Sequence, residues 1–131
     1  MTVLDTHALV WWLAEPSKLS ASARRAIQSA AHANELVVSA ASILEIATLV
    51  RRGRLALSTS VDQWLADVRS LPELTIEPVT AEIAARAGSF DAEMQGDPID
   101  RIIVATAVLL QYPLVSADSQ VRALPWIRTI W

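Results

Sequence analysis

The chain contains no cysteine. That excludes a disulfide framework, a zinc–thiolate centre and a thiol nucleophile, and it is compatible with a reducing cytosol. Glycine is scarce, at three residues, beside six prolines and an apolar content of 53%; this is the composition of a folded domain, not of a tail or linker. No apolar run reaches the roughly 18 residues that span a bilayer, because a charge or a breaker interrupts each one. The first residues lack a basic stretch followed by an apolar core and a small-residue cleavage site, so no secretion signal is expected. No G-x-x-x-x-G-K-[ST] phosphate loop, G-x-G-x-x-G turn or serine–histidine–acid triad is evident. Basic excess is also missing: 14 acids stand against 11 bases, for a net charge of −3. Nucleic-acid binders usually carry a basic surface. If four acids converge on bound cations, however, 10 remain against 11 bases, which is close to neutral.

The apolar pattern is that of short buried strands alternating with helices. Strands are expected at Met1–Leu4, Leu36–Ser39, Leu74–Val79, Pro113–Ala117 and, at the C-terminus, Trp126–Trp131. Pro78 puts the third at an edge or an end. Helices are expected at Thr6–Leu13, from Ala21 to about Ala33 after a Ser20 cap, and from about Ala40 to Arg52 before Gly53. Ser60 caps a helix through Trp64 and Val68, and Thr80 caps one to about Ala87. Gly88–Gly96 then reads as a polar connection. The sum is one α/β domain over residues 1–131, with a mainly parallel sheet of four to five strands flanked by helices.

The last long helix, D-P-I-D-R-I-I-V-A-T-A-V-L-L from Asp97 to Leu110, is the most informative stretch. Asp97 is a natural N-cap and Pro98 a natural first residue. The body is apolar nearly all round and must be buried. Asp100 falls on the side of Ile103, Val104 and Ala107. A carboxylate there needs a proton, an arginine, backbone N–H groups or a metal ion.

Three more acids have related positions. Asp5 follows the first strand, Asp118 follows the fourth, and Glu45 lies in the second turn of the helix after the second. All three belong on the rim at the carboxyl ends of the strands, where open parallel sheets bind ligands. Asp100 joins them if the 88–96 connection carries its helix start to that rim. Carboxylates gathered in one pocket cannot all stay ionised without cations, and an oxygen-only set suits Mg²⁺ or Mn²⁺. Each acid alone also has an ordinary role. Asp5, Asp97 and Asp118 suit helix caps or turns, and Glu45 suits a Ser42-x-x-Glu45 capping box or a solvated face. Joint placement is what raises the metal site.

Four segments carry a resemblance: Leu4-Asp5-Thr6-His7 with Trp11-Trp12, Val38-Ser39-Ala40-Ala41-Ser42-Ile43-Leu44-Glu45-Ile46, Asp97-Pro98-Ile99-Asp100-Arg101 running into 102–107, and Val115-Ser116-Ala117-Asp118. In this order and spacing the chain resembles PIN-domain ribonucleases, specifically the VapC-type toxins of toxin–antitoxin pairs. The resemblance implies a cytoplasmic, metal-dependent endoribonuclease holding one or two Mg²⁺ or Mn²⁺ ions. It puts Asp5, Glu45, Asp100 and Asp118 at the family's acidic positions and Thr6 and Ser116 at polar positions that arrange the metal or its waters. Asp97 matches an extra acid of one subgroup, whose usual aromatic and histidine are here Ile99 and Gln95. An RNA substrate, a homodimer and a cognate antitoxin that enters the site are also implied.

The remaining features are less specific. Arg51, Arg52 and Arg54 form the densest basic patch and Arg24 and Arg25 a second; either could follow RNA phosphates or simply solvate a helix end. His7 and His32 read as structural or surface residues. Trp11 and Trp12 cannot both face one core, which leaves one for the site mouth or a partner segment. The competing class is a non-catalytic acid-pocket module, either an inactive PIN domain or a receiver. A receiver needs a lysine in the pocket for its phosphoryl group, and the one lysine, Lys18, falls in a loop.

Overall fold

The computed structural model describes residues 1–91, 94 and 97–131. Five short strands form one parallel sheet, in the order β3-β2-β1-β4-β5. They are β1 (Thr2–Leu4), β2 (Leu36–Ser39), β3 (Leu74–Glu77), β4 (Leu114–Val115) and β5 (Thr129–Ile130). The helices are α1 (Thr6–Ala14), α2 (Ala21–His32), α3 (Ala40–Arg51), α4 (Val61–Arg69), α5 (Ala81–Ser89), α6 (Pro98–Leu110) and α7 (Ser119–Arg122). The α/β architecture expected from the alternating pattern is therefore the one adopted.

Local chemistry sets most of the boundaries. Each of these helices starts at a Ser, Thr or Asp whose side chain accepts a backbone N–H from the first turn: Asp5, Ser20, Ser39, Ser60, Thr80, Asp97 and Asp118. Such a cap contributes about 1 kcal/mol. Gly53 ends α3 at φ +71°, and the N–H groups of Gly53 and Arg54 close back on the carbonyls of Val50 and Leu49, the Schellman ending. β1 starts one residue later than expected, at Thr2, and three strands are shorter by two residues or more. β3 stops at Glu77, where Pro78 removes the next ladder donor. β4 stops at Val115 because Ser116 to Asp118 turn into the cap of α7. β5 begins only at Thr129, since Pro125 and Trp126 lie in a turn. Of the expected Gly88–Gly96 connection, Gly88 and Ser89 extend α5, while Ala92, Glu93, Gln95 and Gly96 lie outside the described residues.

Alternation along the central strands builds two cores. Leu4, Leu36 and Val38 face one side, with Leu9 of α1, Ile27 of α2 and Ile46 of α3. Val3, Val37 and Leu114 face the other, with Ile103, Val104 and Ala107 of α6. Each fully buried aliphatic side chain contributes roughly 1.5–3 kcal/mol. On its outer side α6 meets α5, through Ala105 against Ile83 and Ala87. Residues Ile103 to Ala107 are consequently all buried, as the all-round apolar sequence requires. The buried Thr106 hydroxyl is satisfied by donating to the Ile102 carbonyl at 2.7 Å.

Topology then selects one place for a ligand. From β1 the chain steps to β2 and β3 in one direction, but β4 pairs on the other flank of β1. Neighbouring connections therefore leave the carboxyl ends of β1 and β4 in opposite directions and open a crevice between them.

Candidate metal centre

The paired register Leu4↔Val115 brings the next residues on each strand, Asp5 and Ser116, side by side at the rim. Asp5 N–H donates to the Val115 carbonyl at 3.1 Å, and its Oδ1 accepts the Ala8 N–H at 2.8 Å. The buried Ser116 hydroxyl bonds the Asp5 carboxylate, while its oxygen accepts the Asp118 N–H at 3.1 Å. Asp118 in turn accepts the Gln120 N–H at 2.8 Å. On the other wall, the buried Thr6 hydroxyl donates to Ser42 Oγ at 3.0 Å. That bond ties α1 to α3 one turn before Glu45. Because Ser39 caps α3, Ser42 does not serve as a cap and Glu45 is not the far half of a capping box.

These elements enclose a pocket of about 490 Å³, lined by Asp5, Glu45, Asp97, Asp100 and Asp118 together with Thr6, His7, Trp11 and Ala117. The start of α6 thus does reach the carboxyl rim. Carboxylate oxygens of Glu45, Asp97 and Asp100 lie within 4.8 Å of one another. Asp97 is in this group while its Oδ1 also accepts the Asp100 N–H at 3.0 Å, so the cap and the cluster are one residue's two tasks. Below, a recess of about 10 Å³ is bordered by Asp5, Asp100, Ser116 and Asp118 over an apolar floor that includes Ile103 and Val104. Asp100 borders both spaces.

The electrostatic consequence is concentrated on Asp100. Desolvation raises its pKa first, then the charges of Asp97, Glu45, Asp118 and Asp5, in that order, to about 7. Asp5 is also raised, by burial first and by Glu45 last, against the lowering effects of the Ala8 N–H, Ser116 and His7. Two carboxylates about 5 Å apart repel by ~1 kcal/mol in water and ~3 kcal/mol at an effective dielectric of about 20. His7 is the only basic side chain among the described residues that line the pocket. The donor set is therefore all oxygen and short of positive charge, which fits a hard divalent cation such as Mg²⁺ or Mn²⁺.

Other expectations from sequence fall into place around this centre. Trp11 lines the pocket, with ring centroids 5.6 Å from His7 and 5.7 Å from Trp131; both Trp11 and Trp12 pack against the first core, so the expectation that they cannot share one core does not hold. His32 is exposed in the last turn of α2. Arg51, Arg52 and Arg54 are exposed at the far end of α3 and line no part of the pocket; Arg51 is six residues beyond Glu45, about 9 Å along a helix axis. Arg24 and Arg25 are exposed on α2, bonded to the Pro16 carbonyl and to Ser22. Lys18 pairs with Glu15 at 3.1 Å, outside the pocket. Two residues have a part that the sequence does not give them: Ser42, expected only as half of a capping box, and Arg101, which donates to four backbone carbonyls ahead of α6. Ser42 was recognisable as a hydroxyl one turn before Glu45. Arg101 carried no such signal, since its partners come from the preceding connection.

A rim of acids at the switch point of a parallel sheet defines a class, and comparison with known proteins gives it a name. The PIN-domain family model matches residues 2–127, and the chain belongs to the PIN-domain family. It is 37% identical over 131 residues to Ribonuclease VapC22 of Mycobacterium tuberculosis, covering 98% of this chain and 97% of that protein. Solved structures share the fold at low identity. VapBC2 from Rickettsia felis, bound to a DNA fragment from its promoter, matches with TM-score 0.70 and 18% identity over 98% of this chain and 96% of that one. FitAcB from Neisseria gonorrhoeae matches with TM-score 0.68 and 16% identity over 98% and 96%.

Proposed function

We propose that this chain is a divalent-metal-dependent endoribonuclease, the toxin of a VapC-type toxin–antitoxin pair, acting in the cytoplasm. The observation that carries the reading is the convergence of five acids on one pocket, with Asp100 bordering both the 4.8 Å carboxylate cluster and the recess beneath it. Extensive identity to a relative named a ribonuclease supports RNA as the substrate. Likeness in fold to structures titled as VapBC assemblies supports an antitoxin partner. A homodimer is expected from the family resemblance.

Asp5, Asp100 and Asp118 would border one cation position, and Glu45 and Asp97 would complete it or share a second with Asp100. A cation held there supplies positive charge to the scissile phosphate and acidifies a water molecule. The chain's own residues supply the rest. Ser116 and the Ala8 N–H hold Asp5 in place, and the Thr6–Ser42 bond fixes the helix that presents Glu45. Water attacking phosphorus in line displaces the 3′ oxygen, leaving a 5′ phosphate and a 3′ hydroxyl. The acids also keep an uncompensated phosphate out of the pocket, so substrate and cation enter together.

The test is cleavage of RNA by the purified protein with Mg²⁺ or Mn²⁺, with EDTA, and by the Asp5→Asn and Asp100→Asn variants. Metal-dependent cutting that both variants lose is the expected result. Undiminished cutting in EDTA, or by both folded variants, would overturn the proposal.

A further inference from the structure

Arg101 stands in the first turn of α6, beside Asp100. A cation is out of place there, because the first turn of a helix carries the positive end of its dipole. The side chain turns instead to the chain that precedes the helix. Nη1 donates to the carbonyls of Ala87 at 3.0 Å and Phe90 at 2.8 Å. Nη2 donates to those of Met94 at 2.9 Å and Asp91 at 3.5 Å. Ala87 lies in the last turn of α5, where carbonyls lack helical partners and a cation is favourable. One planar guanidinium therefore ties the last turn of α5 and the carbonyls of Phe90, Asp91 and Met94 to the first turn of α6.

Its consequence reaches the pocket. Asp97 and Asp100 project from the α6 start that Arg101 secures, and Glu45 comes from α3, a separate element. The 4.8 Å grouping of these acids is a contact between elements, made against mutual repulsion. Burial of residues 103–107 holds the middle of α6, while the first turn is seated less deeply, through the half-buried Ile99 against the second core. We infer that Arg101 is a positioning residue of the metal centre, holding the first turn of α6, and with it Asp97 and Asp100, against Glu45 by tying that turn to the end of α5. This rests on the metal-centre reading above. A lysine cannot replace it, since a single ammonium group lacks the planar two-nitrogen fork that spans carbonyls from Ala87 to Met94.

The experiment is a calorimetric titration of RNA-free protein with Mn²⁺ alone, on the unaltered chain, Arg101→Lys and a destabilised control. Ile27→Val, in the core on the opposite face of the sheet, serves as that control. Circular dichroism and melting temperature accompany each titration. Arg101→Lys is expected to fold and to bind Mn²⁺ ~10–100-fold more weakly, the range for groups that orient metal ligands. Ile27→Val is expected to melt earlier with its Mn²⁺ affinity unchanged. At a temperature where every variant is fully folded, RNA cleavage by Arg101→Lys should need more Mn²⁺ than the unaltered chain, and cleavage by Ile27→Val should not. Equal affinity in Arg101→Lys and the unaltered chain, or equal weakening in both variants, overturns the positioning role. If the unaltered chain binds no Mn²⁺, the metal-centre reading fails and takes this inference with it.

Discussion

Asp5 and Asp118 enter the pocket from strand ends, while Glu45, Asp97 and Asp100 enter it from helices. The two groups are held in opposite ways. The strand-end acids accept backbone N–H groups from the helices they cap, and Ser116 links the two residues directly. Those bonds orient the two carboxylates, and at Asp5 they offset only part of the burial that raises its pKa. On the helix side Asp97 has its capping bond, but the carboxylates meet one another within 4.8 Å, and Asp100 is raised to about 7 by burial and by its four acidic neighbours. One wall is thus fixed in geometry by hydrogen bonds, and the other holds repulsion that a proton or a cation must relieve. The comparison assigns affinity for cation mainly to the helix wall and its geometry to the strand wall.

Charge removal breaks the comparison most sharply. Asp100→Asn is expected to lower metal-dependent RNA cleavage by at least about 1,000-fold, because Asp100 belongs to the carboxylate cluster with Glu45 and Asp97 and also borders the recess with Asp5 and Asp118. Asp118→Asn keeps the cap oxygen and is expected to lose less, roughly 10–100-fold. Rate measurements under saturating Mn²⁺ distinguish the two, and equal losses would remove the asymmetry between the walls.

Titration gives the next largest effect. The folded pKa of Asp100, about 7, exceeds the ordinary carboxylate value of 3.8. Between those values the folded chain binds more protons than the unfolded one, so cation-free stability falls as pH rises from about 4 to about 7 and levels off above. Asp5 adds a slope of the same sign. Mn²⁺ takes the place of the proton, so its stabilising effect is expected to be larger at pH 8 than at pH 5. Melting temperatures measured across pH with and without Mn²⁺ check both directions, and a stability that rises over this range without metal would contradict them.

Smaller substitutions sharpen the picture. Asp97→Ala is expected to lower stability by about 1 kcal/mol through loss of the cap, while Asp97→Asn leaves it nearly unchanged. Both should weaken Mn²⁺ binding alike, which separates the residue's two tasks by comparing denaturation midpoints with calorimetry. Thr6→Val removes the donor to Ser42 and is expected to lower stability by ~1 kcal/mol, with a modest loss of activity through α3.

Much of this was legible before any coordinates. Helix starts followed from Ser20, Ser60, Thr80 and Asp97, because a cap is a local event written in one residue and the N–H groups after it. The edge position of β3 followed from Pro78, and the shared rim of Asp5, Glu45 and Asp118 from strand polarity alone. What could not be read depends on contacts between distant segments. The arrival of Asp100 at the rim depends on where α6 begins, and Arg101 ties that turn to the carbonyls of Ala87, Phe90, Asp91 and Met94. Glu45 projects off the apolar stripe of its own helix and suited solvent until α6 was placed opposite it. Asp97 was read mainly as a cap, and the second use of its carboxylate becomes visible only with Glu45 beside it. The family resemblance falls on the same four acids that strand polarity and the α6 start bring together.

The central claim is that the helix-borne acids and the strand-end acids meet at Asp100 to hold a divalent cation. The most direct measurement is anomalous diffraction from a crystal of the protein soaked in Mn²⁺. The expected result is a peak at Asp100, bordered by Glu45 and Asp97 on one side or by Asp5 and Asp118 on the other, that disappears in Asp100→Asn crystals. A peak away from Asp100, or one that persists in that variant, would contradict the claim.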